Sequence, residues 1–460
     1  MLSKTLFGLI VFSFVYMIAG FDLTIVLAAE PNYIAEESPP DDSVREEKGP
    51  LEYLQPKADP KPPSVFPALE KKIEHLPPFW RDTSFNVHVR SYYFGSDTPG
   101  TGKKEAWALG GWLAYESGWW KDRLKIGLTG YTSQKLYGSE DRDGTLLLKP
   151  GQEGFSVLGQ AYLQTRVADE INLRIYRQIL DLPYINQDDS RMVPNTFEAY
   201  TLNGESVGHF DFIISHVAKM KTRNASTFRP MSEIAGFPGT DKGLTLGGLT
   251  YSLSDDIYVG AINQYSWDLW NTAYTEAAGV WDIADGTEIG LTVQYTDQRD
   301  VGDALDGVFS TSAMGAAMAF SWQGAIVSFA VSTTDDDSRI RRPYGGSPAF
   351  VSLMQAKFDR AGEDAWRAGL SFDFKTMGVD GLSAFVDYAR GNTPDAGGAA
   401  SPDQEEFDFT VDYQFKNGLF DGLWLRVRAS FLDQHGPTGR DTDEIRLILN
   451  YDLPVLLRSD

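Results

Sequence analysis

Apolar and polar residues alternate one for one along most of this chain. Ile289, Leu291, Val293 and Tyr295 alternate with Glu288, Gly290, Thr292 and Gln294. Phe407, Phe409, Val411, Tyr413 and Phe415 alternate with Asp408, Thr410, Asp412, Gln414 and Lys416. Trp366, Ala368, Leu370, Phe372 and Phe374 do so with Arg367, Gly369, Ser371, Asp373 and Lys375. Near the end, Ile445, Leu447, Leu449 and Tyr451 keep the same period against Arg446, Ile448 and Asn450. Successive side chains of a β-strand point to opposite faces, so each segment carries one apolar and one polar face. This period holds from Ser84 to the C-terminal end, and helix-type periodicity is scarce.

The pattern predicts strands over 84–94, 105–117, 123–133, 157–167, 169–177, 197–205, 208–218, 243–253, 256–267, 271–282, 286–297, 308–321, 324–334, 365–376, 381–390, 405–416, 422–433 and 442–452. That is roughly eighteen, an even number as bacterial membrane barrels have. Short connections (Gly118–Asp122, Ala168–Asp169, Gly204–Val207, Ser254–Asp256, Ala284–Gly286, Trp322–Gly324) tend to alternate with long ones (134–156, 178–196, 219–242, 335–364, 391–404). Short turns on one side and long loops on the other are the periplasmic and extracellular ends of such a barrel. A soluble sandwich would also alternate, but no further element exists here to cover the apolar face. Trp119, Trp120, Tyr131, Trp267, Trp281, Tyr295, Phe374 and Tyr413 fall near strand ends, where interfacial girdles lie. The fold class is therefore all-β, a transmembrane antiparallel β-barrel of about 18 strands over residues 83–460.

The N-terminal part differs. Lys4, the apolar run Leu6 to Ala19, and the small residues Ala28 and Ala29 read as a signal peptide over 1–29, with a retained anchor helix as the other reading. Residues 30–82 form a proline-rich acidic linker, with Pro39-Pro40, Pro62-Pro63 and Pro77-Pro78. Leu69, Ile73 and Leu76 within it predict two or three helical turns.

Composition narrows the function. The formal charge of −23 argues against nucleic acid as a partner. The chain has no cysteine, so disulfides and thiol chemistry are excluded, and its five scattered histidines make no ligand cluster. No metal and no cofactor is expected. Gly204-Glu205-Ser206-Val207-Gly208 matches a nucleophile elbow, which needs a helix to follow. His209 to Val217 alternates as a strand, so the segment reads as a hairpin turn. Gly100-Thr101-Gly102-Lys103-Lys104 resembles the end of a phosphate-binding loop but reads as a surface loop. Ser215-His216 is an adjacent pair without an evident third partner. No catalytic residue is expected, and the loop acids Asp335-Asp336-Asp337, Asp188-Asp189 and Glu140-Asp141 read as solvated charge rather than cation sites.

The residues resemble one family, the OprD family of substrate-specific outer-membrane porins, across nearly all of Phe85 to Leu457. The matching stretches are Val89-Arg90-Ser91-Tyr92-Tyr93-Phe94, the segment Asp189-Ser190-Arg191-Met192-Val193-Pro194-Asn195-Thr196-Phe197, Phe358-Asp359-Arg360-Ala361-Gly362-Glu363 through Trp366, then Asp373-Phe374, Gly378 and Gly381-Leu382, and finally Glu444 through Tyr451. The resemblance implies a pore for small water-soluble compounds, commonly amino acids or other carboxylates. It also implies a loop folded inward and a ladder of basic wall residues. The loop matching that constriction is Gln178 to Thr196, with Pro183, Asp188, Asp189, Arg191 and Pro194. A second loop, Asp335 to Asp364 with Gly345 and Gly346, would reach the narrow part.

By parity, Arg426 and Arg428 point inward between Leu425, Val427 and Ala429, and Arg90, Arg174 and Arg446 share the lumen side. With Arg191 they are the substrate-guiding candidates, since guanidinium groups attract carboxylates while lumen water permits release. Their alternative role is to balance lumen acids such as Asp373, Asp408 and Asp412. Asp387 departs from the family, standing where the resemblance implies a ladder arginine, and favours zwitterionic or cationic solutes. The expected partners are small solutes, outer-membrane lipid and lipopolysaccharide, with a homo-oligomer left open. Two other readings remain: a general porin, and a structural or adhesion barrel that uses the N-terminal arm.

Overall fold

The computed structural model describes residues 73–207, 209–417, 420–436 and 438–456. The predicted signal peptide, most of the linker and Leu69 lie outside these residues. The linker's last part includes a single helical turn, Pro78–Arg81, with Pro78 at its first position, where the missing proline N–H costs nothing.

Eighteen strands follow: β1 (Ser84–Thr98), β2 (Gly102–Glu116), β3 (Leu124–Tyr137), β4 (Phe155–Ala168), β5 (Ile171–Gln178), β6 (Thr196–Val207), β7 (Phe210–Lys221), β8 (Leu244–Ser254), β9 (Ile257–Ser266), β10 (Trp270–Ala284), β11 (Thr287–Asp300), β12 (Ser310–Trp322), β13 (Ala325–Thr334), β14 (Asp364–Asp373), β15 (Leu382–Asn392), β16 (Gln404–Gln414), β17 (Trp424–Gln434) and β18 (Thr442–Leu456). Each pairs antiparallel with its sequence neighbour, and β18 closes the ring on β1, where Arg90 faces Asn450 and Phe94 faces Arg446. Closure leaves no free sheet edge, which a lipid environment requires because nothing there satisfies an open edge.

Strand positions agree with the alternation, and the differences have causes. β1 runs on through Gly95-Ser96-Asp97-Thr98 because this end is polar on both faces, so the period is lost while pairing continues. β14 stops at Asp373, whose carboxylate accepts from the Lys375 N–H and caps a short helical turn, Phe374–Met377. Phe374 therefore ends the strand rather than extending it. Gly204 to Val207 lie within β6, and the hairpin turn comes after them. Gly102 and both following lysines begin β2, with the turn tightened by Gly100 and Gly102 at positive φ.

The outward face is apolar: Leu109, Leu113, Ile126, Leu128, Leu291, Val293, Met318, Val327, Phe329, Leu370 and Leu447 are exposed. Trp120, Trp267, Trp281 and Tyr295 also face outward. Tyr131 does not. It shares parity with Thr129 and Lys125, and it is buried in the lumen. Trp119 likewise sits between the Lys125 and Arg166 head groups, 5.0 and 4.5 Å from its ring centre, rather than in a girdle.

An eighteen-stranded ring is too wide for wall side chains to fill, and loops enter it instead. Met192 and Val193 of the loop 179–195 pack with Leu147 and Leu148 against inward Tyr92, Phe94, Ala106, Ala108 and Tyr131. Leu180, Tyr184 and Ile185 of the same loop pack on Phe197, Val217, Leu244, Leu246 and Tyr274. From the loop 335–363, Phe350, Val351, Leu353, Ala356 and Phe358 cover Ala317, Ala330, Ala365 and Ala389. Under the second loop the wall is small, so that loop's apolar side chains fit against it, while the first loop packs on large aromatic wall residues; both leave water.

Candidate functional site

The loop 179–195 is clamped at both ends of its inward run. Asp189 receives two bonds from the Arg90 guanidinium, at 2.8 and 3.0 Å, and both side chains are almost fully buried. Arg90 also donates to Asn450 Oδ1 at 2.8 Å and to the Arg191 carbonyl at 2.6 Å. Asp188 accepts from Arg223 at 2.7 Å, and the buried Lys221 ammonium donates to the Pro194 carbonyl at 2.7 Å. Asp188-Asp189 is thus not solvated loop charge. A water-poor position inside the barrel ionises a carboxylate only beside a cation, and each of these has an arginine. The Pro183 carbonyl accepts from Gln264 on β9, pinning the far side of the loop to the opposite wall.

A row of cations crosses β17, β18 and β1 where this loop meets the wall. Arg428 faces Arg446 directly, and Arg446 faces Phe94. The Arg191 and Arg446 guanidinium carbons lie 4.7 and 5.9 Å from the Phe94 ring centre, which the two share. Arg191 donates to the carbonyls of Thr145 and Ser190. Burial, and next the neighbouring Arg446, push its pKa down to about 10, so it stays charged at neutral pH. Arg446 pairs with Glu444 at 2.5 Å, and Arg428 donates to Thr410 at 3.2 Å. One step toward the turn side, Arg426 takes both oxygens of Asp412, at 2.6 and 2.7 Å, and lies over Trp424. Asp408 is turned to another task, accepting the Met354 N–H of the second inward loop at 2.9 Å.

Arg174 stands apart from that row. On β5 it donates to Gln164 at 2.7 Å and covers the Tyr162 ring. Around it are Lys125, paired with Glu116 at 2.7 Å, and Arg166. The five other predicted arginines gather on three adjacent strands and one loop. Sequence reasoning passed over Lys125, Arg166 and Arg367 as lumen cations, although parity marks all three: Lys125 lies between Leu124 and Ile126, and Arg367 between Trp366 and Ala368. Asp387 faces the lumen and binds Arg367 at 2.8 Å, so that rung is a neutral pair. Asp335, Asp336 and Asp337 group their carboxylates within 4.8 Å of one another, and all three are exposed. Ser215 is buried inward while His216 is exposed outward, as neighbours on a strand must be, so they form no dyad.

Known proteins share this fold. The family profile for the outer membrane porin, OprD family, matches residues 77–455. The porin-like protein GalP of Pseudomonas putida is 21% identical over 389 residues, covering 82% of this chain and 93% of GalP. Among solved structures, OccK9 (OpdG) of Pseudomonas aeruginosa superposes with a TM-score of 0.76 at 25% identity, over 82% of this chain and all of that one. A BenF-like porin from Pseudomonas fluorescens gives 0.75 at 21%, covering 82% of this chain and 100% of its own. OpdK of Pseudomonas aeruginosa, solved with vanillate, gives 0.74 at 20%, over 82% and 99%. A closed eighteen-stranded barrel, narrowed from within by its own loops and matched by the family profile along its whole length, is a channel of the Gram-negative outer membrane and not an enzyme: the chain belongs to the OprD family of outer-membrane porins.

Proposed function

We propose that this porin passes small carboxylates, amino acids among them, by diffusion down their gradient past the arginine row. The observation that carries the reading is the alignment of Arg428 beside Arg446, which together with Arg191 flanks Phe94 at the crossing of the inward loop. A planar guanidinium offers two parallel donors to a carboxylate, and the water in the lumen keeps each contact weak enough for release. Arg426 extends this row, and Arg174 with Lys125 and Arg166 supplies a second cationic station on β3 to β5. Arg90 contributes by holding the loop in place. Pro183, Asp188, Asp189 and Pro194 shape the constriction. The Arg367–Asp387 pair lowers the anion preference that a full ladder would have. On the outside, the apolar band meets lipid, and lipopolysaccharide is the neighbour of the outer leaflet.

Uptake into liposomes carrying the refolded protein tests this. Small carboxylates should enter faster than neutral sugars of equal size, and Arg428→Gln should remove much of the difference while sugar entry holds. Equal entry of both solutes into wild-type liposomes would establish a general porin instead, and no entry at all would end the channel reading and point to the N-terminal arm.

A further inference from the structure

The two inward loops meet where Ile340 and Tyr344 of the second pack in one apolar cluster with Leu180, Tyr184 and Ile185 of the first, and one polar side chain, Asn186, ties them there. A short ribbon, Asp181–Leu182 paired with Ile185–Asn186, presents Asn186 to the loop 335–363. Its carboxamide oxygen accepts the Gly346 N–H at 2.7 Å, and its nitrogen donates to the Gly346 carbonyl at 3.1 Å. The side chain thus pairs with Gly346 as one peptide unit pairs with another. The backbone adds to the join: Asn186 N–H donates to the Tyr344 carbonyl at 3.3 Å, and Ile185 and Tyr344 form a parallel bridge. Asn195 donates to the Asn186 carbonyl at 3.2 Å and holds the ribbon from behind.

The approach is close enough to need glycine. A Cβ on Gly345 would lie 2.4 Å from Asn186 Oδ1 and 2.6 Å from its backbone nitrogen, well inside contact distance, so the neighbour would have to move. Away from this point the loops have separate anchors. The first is held by Arg90, Arg223 and Lys221 on the β1 and β7 sides. The second is held by β11, whose Gln298 exchanges bonds with the Arg341 backbone at 2.8 and 2.7 Å, and by β16, whose Glu406 accepts the N–H groups of Gln355 and Ala356 at 2.8 and 2.7 Å.

We infer that Asn186 is a positioning residue that sets the aperture of the pore, by making the two loops one diaphragm across the lumen. Separate loops could each lean toward their own wall, whereas the joined pair cannot part without breaking the Asn186–Gly346 pairing, which fixes the register of the bridge and of the Tyr184, Ile185 and Tyr344 packing beside it. The inference holds whichever solute passes, so its test is independent of the carboxylate reading.

The full-length refolded protein in planar bilayers, with potassium chloride as the probe, gives the test. Asn186→Ala should raise single-channel conductance by about twofold or more and add current noise, because flow follows the open area of a water-filled constriction. Asn186→Asp keeps the acceptor and loses the donor, and should fall between. The chain has no cysteine, so Asn186→Cys with Gly346→Cys makes a latch that can be opened chemically. Oxidised, it should conduct as wild type does; reduced, it should conduct as Asn186→Ala does. Electrophoretic mobility before and after heating shows that each variant is a folded barrel. Wild-type conductance and noise in folded Asn186→Ala would overturn the inference. So would a crosslinked double variant whose conductance does not change on reduction, and that arm decides if Asn186→Ala fails to fold.

Discussion

Removing the Asp189 carboxylate should release the loop 179–195 far more than deleting both members of the Arg90–Asp189 pair. In the native protein Arg90 gives two bonds to Asp189, with 4% and 6% of the two side chains exposed. Asp189→Ala takes away the carboxylate that accepts two bonds from the buried guanidinium and leaves it beside the neutral Asn450 and Arg191 oxygens. Breaking a buried pair on one side costs about 3–5 kcal/mol, while replacing both partners with apolar groups of similar size is often near neutral. At about 1.4 kcal/mol per decade, the single change multiplies the released population by roughly two to three and a half orders of magnitude. The rise cannot exceed what full release of the loop allows, because the strand ladder keeps the barrel closed. Trypsin provides the assay, since the bond after Arg191 lies inside the clamped segment and cleavage of an opened segment follows its population. The Arg191–Met192 cut, followed by mass spectrometry in detergent micelles, should accelerate strongly in Asp189→Ala. In Arg90→Leu/Asp189→Leu it should accelerate much less. A double variant cut as fast as Asp189→Ala would refute the argument from uncompensated charge, and an unchanged rate in Asp189→Ala would show that Arg223 and Lys221 hold the loop without this pair.

Three further outcomes are expected. Asp387→Asn frees Arg367 from its pair at 2.8 Å, so the reversal potential in a salt gradient should shift toward anions, with the shift shrinking as salt rises and the screening length falls from about 10 Å at 0.1 M to about 3 Å at 1 M. Glu276 on β10 accepts hydrogen bonds from Tyr258 and Tyr274 and has no ion-pair partner among the described residues. Glu276→Gln keeps an acceptor and removes the charge, and the same measurement should move toward anions; an unmoved potential would show that this carboxylate does not act on the permeating ions. Ala317→Leu adds bulk beneath the apolar run 350–358 of the second loop. The misfit should cost about 1–3 kcal/mol, read as a lower urea midpoint together with altered conductance.

Much of the pore was legible in the sequence, and the rest was hidden for identifiable reasons. Parity placed Arg90, Arg174, Arg426, Arg428 and Arg446 on the lumen side because a strand repeats every two residues. The same rule would have found Lys125 and Arg367. It could not show that Arg90 spends itself on Asp189, or that Arg174 stands away from the others, since pairing partners lie on strands and loops far off in the chain. Asp188-Asp189 read as solvated because loop acids usually are, and only the inward fold of the loop buries them. Tyr131 was misplaced because its nearness to a strand end says nothing about which face it takes.

The sequence by itself determined what is local and periodic: the number of strands, their faces, the short and long connections, and the closed barrel that an apolar outer face without covering elements demands. Those follow from backbone geometry repeated along the chain. The tertiary structure alone decided which residues meet. Ala317, Ala330 and Ala365 look like weak strand residues until the apolar loop segment 350–358 is seen to lie on them, and Asn186 and Gly346 are 160 positions apart yet form one pairing. The aperture and its charge depend on these contacts, because they are set by chain closure and packing, which no local repeat encodes.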